Sequence, residues 1–274
     1  MDKPMQSRTE RYESEYQEFD SPLTRQMRRE AYGEDIGQHS WCTTDEVRAD
    51  ILRLKLSPSS HLIDLGSGPC GVLTFVLATV GCRGTGVELS RSAIQVGQAR
   101  AATLGVSGLL TLQEADLNEP LPLPAASFEA AMSVDVVLHL RDRLALFQEV
   151  LRVLRPGSRF AFTDAGVVTG PISNEEFSIR SARGYTCFVP AGWNERLLES
   201  AGFRLIETEN RTGSVLKLAI GRLTALRNHR AEFERLAGTA DFERQQKYYE
   251  TIAALSRSGA LSRVMYLAER HAAA

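Results

Sequence analysis

The sequence predicts an α/β protein with a doubly wound, largely parallel seven-stranded sheet that ends in an antiparallel hairpin. Three observations predict it. A short apolar run at His61–Asp64 breaks on clustered glycines and restarts with helical periodicity from Val72. Further short apolar runs follow, each separated from the next by a helix-length amphipathic stretch. Five carboxylates, Asp64, Glu88, Asp116, Asp135 and Asp164, fall at or just past the ends of these runs, where such a sheet receives its ligands.

The first strand is preceded by the turn residues Ser57-Pro58-Ser59-Ser60 and followed by Gly66, Gly68 and Gly71 in G-x-G-x-x-G spacing. Val72, Phe75, Val76, Ala78 and Thr79 then mark a helix. A strand that breaks on glycine and restarts as a helix presents bare backbone N–H groups and a positive helix end to a ligand, so this stretch reads as a cofactor seat. The glycine spacing alone also serves dinucleotide enzymes. Two acids sharpen it: Asp64 can accept hydrogen bonds from a cationic group, and Glu88, twenty residues past Gly68, can grip both hydroxyls of a ribose. A tight turn without ligand would account for the glycines but for neither acid.

At 274 residues the chain has room for one large domain or two small ones, and 43% hydrophobic with 24% charged residues is the balance of a soluble globule. A net charge of −2 gives no field for a nucleic-acid backbone or an anionic membrane. No apolar run approaches a membrane span, and Met1-Asp2-Lys3-Pro4-Met5 lacks the apolar region of a secretory signal, so the expected location is cytoplasmic. Cys42, Cys70, Cys82 and Cys187 are scattered without a C-x-x-C pair, which points to free thiols rather than zinc or disulfides.

Along the chain, Tyr12, Tyr16 and Phe19 have the spacing of one helix face, though a frayed terminus fits as well. Residues 31–42 are irregular and hold Tyr32, Gln38, His39 and Trp41, a composition suited to a lid over the nucleotide seat. A helix starts near Thr44-Asp45, with Val47, Ile51, Leu52 and Leu54 inward. Arg83–Leu89 is the second strand, and Ser90 caps a helix closed by Leu104-Gly105. Leu109–Glu114 and Phe128–Val134 are the third and fourth strands, separated by a proline-rich loop at Asn118–Pro124. A helix over Asp142–Leu154 stops at Arg155-Pro156-Gly157, and Phe160–Asp164 is the fifth strand. After the Trp193–Ala201 helix, Phe203–Glu209 and Ser262–Glu269 form the antiparallel edge pair. The helical stretches Leu216–Leu236 and Phe242–Leu255, split at Gly238-Thr239, are inserted between them as a cap or, equally, as a homodimer face. The expected organisation is one domain: an N-terminal lid and helix (1–54), a cofactor-binding core (55–213), a helical cap (214–259), and a last strand and tail (260–274).

Four segments together resemble the class I S-adenosylmethionine-dependent methyltransferases, a Rossmann-like family. They are Leu-Ile-Asp-Leu-Gly-Ser-Gly-Pro-Cys-Gly at 62–71, Gly86-Val87-Glu88-Leu89-Ser90, Glu114-Ala115-Asp116-Leu117, and Glu149 to Gly157. The resemblance spans roughly residues 31–270. Tyr32-Gly33-Glu34-Asp35-Ile36, Leu138-His139 with Asp142-Arg143, and Phe162-Thr163-Asp164 further resemble the glycine/sarcosine/dimethylglycine and phosphoethanolamine N-methyltransferases. The chain departs from the glycine-type pattern at Gly37, where those enzymes carry His, and at Val134-Asp135, where they carry Gln-Asp. The resemblance implies S-adenosylmethionine laid across the top of the sheet, with S-adenosylhomocysteine as product. Gly66, Ser67 and Gly68 would approach its methionine part, and Asp64 its amino group. Glu88 would take the ribose hydroxyls and Leu89 would pack on the adenine, whose edge meets Asp116 and Leu117. Val134 and His139 would face the sulfonium, while Tyr32 and Trp41 close the front.

A sulfonium is already an activated methyl donor, so the protein's task is to align an acceptor and exclude water. An amine needs little further help, whereas a hydroxyl benefits from a base. His139 is the candidate base; packing beside the cofactor, or orienting the acceptor, is its other reading. Gln38, Asp135, Asp164, Arg180 and Tyr185 are the candidate contacts of a small-molecule acceptor. Arg180, in a loop region with Arg183 and Tyr185, suits a carboxylate or phosphate, or is a surface charge. No acidic group suggests a magnesium site, so no metal is expected. The rival functions are a nicotinamide-dependent oxidoreductase and a protein that binds S-adenosylmethionine without turning it over.

Overall fold

Strand β1 (His61–Leu65) lies in the middle of the molecule, because Leu62, Ile63 and Leu65 are shut in on both faces of the sheet. The structure, a computed structural model, describes residues 13, 15–182 and 184–272; Tyr12 and Arg183 lie outside the described residues. Seven further strands follow: β2 (Arg83–Glu88), β3 (Leu110–Glu114), β4 (Phe128–Val134), β5 (Leu154–Val168), β6 (Val189–Pro190), β7 (Phe203–Asn210) and β8 (Leu261–Arg270). They run in the order β3-β2-β1-β4-β5-β8-β7, with β6 paired to β5. Strands β1 to β5 are mutually parallel, and β8 lies antiparallel between β5 and β7.

The sheet thus has eight strands, one more than the sequence pattern predicts. The addition is β6, whose two residues are too short to show a period. Strand β5 also starts six residues early. Pro156 and Gly157 fall where its pairing with β4 shifts register between Phe128 and Ala130, so a bulge absorbs the proline that otherwise reads as a stop.

Alternation along the strands divides the core. Phe160, Phe162, Tyr266 and Ala268 face helix Arg143–Val153 through Phe147 and Val150. Ala161, Met265 and Leu267 face the opposite way, toward helices Thr44–Arg53 and Gly71–Val80. A third cluster joins the insert to the front of the molecule, packing Trp41 and Ala165 with Leu218, Tyr248 and Tyr249. The insert consists of helices Thr212–Asn228, Arg230–Ala237 and Thr239–Ser258. It breaks at Gly238 as expected and also at His229, where neither glycine nor proline marks the change.

From residue 15 onward the chain is packed onto the core: Tyr16 and Phe19 are buried against Ala93 of helix Arg91–Thr103. Glu13 accepts the backbone N–H groups of Arg91 and Ser92, the unsatisfied donors that open that helix. Among the described residues no helix is long and apolar enough to cross a membrane. Strand order reverses between β1 and β4, so the ligand crevice belongs above their carboxyl ends.

Candidate functional site: a crevice at the switch point

The turn after β1 is built from left-handed residues. Gly66 (φ +76°) and Gly68 (φ +52°) are free of the steric cost, whereas Cys70 (φ +56°) bears it where helix Gly71–Val80 begins. The N–H groups of Gly66 and Ser67 both donate to the Val87 carbonyl (2.8 and 3.1 Å), which draws the turn onto β2. A Cβ at Gly66 would lie 2.6 Å from Val136, and one at Gly71 would strike the Gly37 carbonyl. Both glycines are therefore needed for close approach. Burial pushes the Cys70 thiol up to about 12, so this cysteine is chemically quiet.

Two carboxyls flank the turn. Asp64 is 2% exposed, lines the crevice, and has no hydrogen bond to its carboxyl among the described residues. Burial, followed by the nearby Glu88 charge, raises it to about 8. Glu88 is tied into backbone: Oε2 accepts from Gly68 N (2.9 Å), and Oε1 accepts from Leu89 N and Ser90 N (both 2.9 Å). The rest of this wall comprises Ser67, Leu89, Asp116, Leu117 and Val134. Asp116 also accepts from the Asn118 N–H (2.9 Å) and side-chain amide (2.8 Å), which closes the next turn.

Five of the residues the sequence suggests for the site lie off the crevice wall or have their side chains engaged within the protein. Tyr32 lies outside the crevice wall; its hydroxyl donates to the Ser40 carbonyl (2.6 Å). Asp164 is 0% exposed, lies outside the crevice wall, and accepts from Arg143 (2.5 Å), Asn194 (2.8 Å) and the Gly166 N–H (2.8 Å). Asp135 borders the crevice, but its carboxylate accepts from Trp41 N (2.8 Å), Thr163 (2.7 Å) and Arg263 (2.7 Å). Burial alone would raise the Asp135 carboxyl. The Arg263 charge and those hydrogen bonds outweigh it and hold the group below the usual carboxylate range. Gln38 is buried in the wall with its amide engaged by Ile36 N (2.9 Å) and the Glu34 carbonyl (3.1 Å). Tyr185 is 48% exposed and outside the wall, and its carbonyl meets His139.

That carbonyl accepts from His139, which ends the single helical turn Val137–His139 after β4. Nδ1 lies 2.9 Å from the Tyr185 oxygen, which can only accept, so Nδ1 carries a proton, and in the neutral ring the lone pair is on Nε2. Across the crevice Arg180 is 5% exposed. Its bonds to the Tyr248 hydroxyl (3.3 Å) and the Ala165 carbonyl (3.4 Å) are long, and among the described residues no carboxylate pairs with it. Arg222 and Tyr248 of the insert and Val136 beside the glycine turn also line the wall, as does Glu15 of the amino-terminal segment. Sequence reasoning missed all four, since none belongs to a local motif. Among the described residues no three His, Cys, Asp or Glu side chains group to hold a metal ion.

The family profile described as "Methyltransferase domain" matches residues 63–162, which includes the glycine turn, both flanking acids and His139. Over this stretch the chain is similar to methyltransferases. It is 31% identical over 166 residues to an O-methyltransferase of Pyrenophora dematioidea, which covers 60% of this chain and 62% of that protein. It is 28% identical over 177 residues to the glycine/sarcosine/dimethylglycine N-methyltransferase of Actinopolyspora halophila, which covers 65% of this chain and 31% of that one. The chain thus spans less than two thirds of the length of these relatives. In fold it is similar to Haemonchus contortus phosphoethanolamine N-methyltransferase 2, solved with phosphomonomethylethanolamine and S-adenosylhomocysteine. The TM-score is 0.80 at 18% identity, over 98% of this chain and 61% of that one.

Proposed function

We propose that the protein transfers the methyl group of S-adenosylmethionine to a nitrogen or oxygen of a small acceptor bearing an acid group. The observation that carries the cofactor reading is Asp64: a buried carboxyl on the crevice wall with no hydrogen-bond partner among the described residues, beside bare glycine backbone and Glu88. An ammonium group would give Asp64 its counter-ion, and Glu88 would turn toward the ribose hydroxyls. Leu89 and Leu117 would pack on the adenine beside Asp116, while Val134 would meet the sulfonium end and Trp41 would close the front. The core over 55–213 would seat the cofactor, and the insert over 214–259 would roof the acceptor. Once bound, the sulfonium supplies a methyl group ready for displacement.

The residues of this chain would do the rest. His139 would accept the acceptor's proton at Nε2 as the new bond to carbon forms and the carbon–sulfur pair leaves with sulfur. Arg180 would hold the acceptor's carboxylate or phosphate, since a buried guanidinium with only neutral oxygens around it is left undercompensated. A nicotinamide reading leaves the Asp64 carboxyl without a counterpart. A cytoplasmic location is the accompanying expectation. The partly exposed Ile220 and exposed Leu236 of the insert keep a homodimer as a further proposal, which sedimentation at micromolar concentration decides.

The test is incubation with methyl-labelled S-adenosylmethionine and a panel of amino acids, phenolic acids and phosphate monoesters. Label should move to at least one acid-bearing acceptor with matching release of S-adenosylhomocysteine. His139→Ala should slow transfer to a hydroxyl acceptor, with the loss recovering as pH rises and the acceptor ionises unaided. Tight cofactor binding with no turnover across the panel would instead favour a binding protein.

A further inference from the structure

Arg222 stands midway along the inserted helix Thr212–Asn228, and among the described residues no carboxylate lies within ion-pair distance of it. Its direct contacts lie mostly in the front loop, with Tyr248 and Tyr249 of the insert and the Glu15 charge acting on it as well. Nη2 alone reaches the Tyr32 hydroxyl, the His39 carbonyl (3.0 Å) and the Ser40 carbonyl (2.9 Å). The guanidinium carbon lies 4.3 Å from the centre of the Trp41 ring and 5.1 Å from that of Tyr32. Burying a cation whose direct hydrogen bonds go to neutral oxygens is costly, and here those bonds fix one loop.

That loop needs fixing. It carries left-handed glycines at Gly33 and Gly37, whose freedom must be frozen for Gln38, His39, Ser40 and Trp41 to form a wall of the crevice. Trp41 is gripped from two sides. Its N–H donates to Asp135 at the tip of β4 (2.8 Å), while its ring meets Arg222 and the edge of Tyr249 (6.5 Å) from the insert.

We infer that Arg222 is a positioning residue: it holds Trp41 and the His39–Ser40 backbone as the front wall of the crevice, which makes the inserted helices part of the cofactor's enclosure. The inference rests on the S-adenosylmethionine reading for its ligand-binding arm alone. Its geometric arm concerns Trp41 and needs no ligand.

The experiment uses the full chain carrying W193F, which removes the other of the two tryptophans, so that all indole emission reports Trp41. Into this background go R222Q, R222K and, as a control on the same helix, R227Q, whose arginine is exposed and paired with Glu250. S-adenosylhomocysteine is the calorimetric probe. R222Q should shift the ligand-free emission to longer wavelength and weaken binding about tenfold, from loss of the cation–π contact and the hydrogen bonds. R222K should recover most of both, because a single ammonium offers three donors to the same three oxygens. R227Q should change neither by more than about twofold, as for an exposed ion pair. Unchanged emission and affinity in R222Q would overturn the inference. So would equal losses in R222Q, R222K and R227Q with a common fall in Tm, which would mark general loosening of the insert. Absence of binding by the W193F protein itself would instead overturn the cofactor reading, and the emission arm would still decide Arg222's hold on Trp41.

Discussion

Asp64 and Asp164 are both buried carboxyls on strands of the sheet, yet their chemistry is opposite. Asp164 has a guanidinium and two further donors, whereas Asp64 faces a crevice and another acid. With its carboxyl raised to about 8, Asp64 is neutral at pH 7 in the ligand-free protein. An arriving ammonium favours the charged form, so the proton must leave as the cation binds. At pH 7, binding of S-adenosylhomocysteine should release close to one proton, read from the dependence of calorimetric enthalpy on the buffer's ionisation enthalpy. Asp64→Asn should abolish that release, and a buffer-independent enthalpy in the parent protein would contradict the assignment. The position of Asp64 was legible because two glycines follow it within four residues. That of Asp164 misled, because Arg143 and Asn194 reach it from helices that no local pattern connects to its strand.

Among the elements, helix Gly71–Val80 and the front loop meet backbone to backbone, and this contact sets the width of the crevice. Alanine favours a helix over glycine by about 1 kcal/mol, so Gly71→Ala would stabilise an isolated helix. In this fold the added methyl meets the Gly37 and Ile36 carbonyls, which cannot swing aside as a side-chain tip would. The clash should win: Gly71→Ala should lower Tm and weaken S-adenosylhomocysteine binding more than about tenfold. Gly81→Ala, at the other end of the helix, is the control. Its φ of +75° makes a methyl unwelcome, but nothing lies within 4 Å. It should cost about 1 kcal/mol and leave affinity unchanged. Equal binding losses in the two variants would show that helix stability, not loop contact, governs the site. Elements with their own punctuation were readable to the residue, as with Phe128–Val134 and Trp193–Ala201. Those shaped by a neighbour were not: β5 continues through Pro156 only because it bulges there against β4.

At the scale of the whole molecule, Arg263 joins parts of the chain that lie far apart in sequence. From β8 it bonds Asp135 after β4 (2.7 Å), Thr163 on β5 (3.2 Å) and Glu46 of helix Thr44–Arg53 (2.7 Å). Asp135 is itself held at φ +58°, a left-handed conformation disfavoured outside glycine, and passes the restraint to Trp41. The alternation of Ser262–Glu269 makes a strand legible, but a lone arginine within it carries no sign of partners 128 and 217 positions away. Removing the cation leaves Asp135 buried and uncompensated, which for a broken buried pair costs about 3–5 kcal/mol. Urea unfolding of R263Q at pH 7 should show a loss of that order. The pH dependence separates charge from packing. In the parent protein the lowered Asp135 carboxyl contributes stability that is full above the unfolded aspartate range and is lost only as pH falls through its folded value. In R263Q burial acts without the cation and raises the same carboxyl, so the folded variant takes up a proton before the unfolded chain does. Its deficit should therefore be smaller at pH 5 than at pH 7. A deficit equal at both values would mean that Arg263 acts through packing alone and that the front wall owes nothing to its charge.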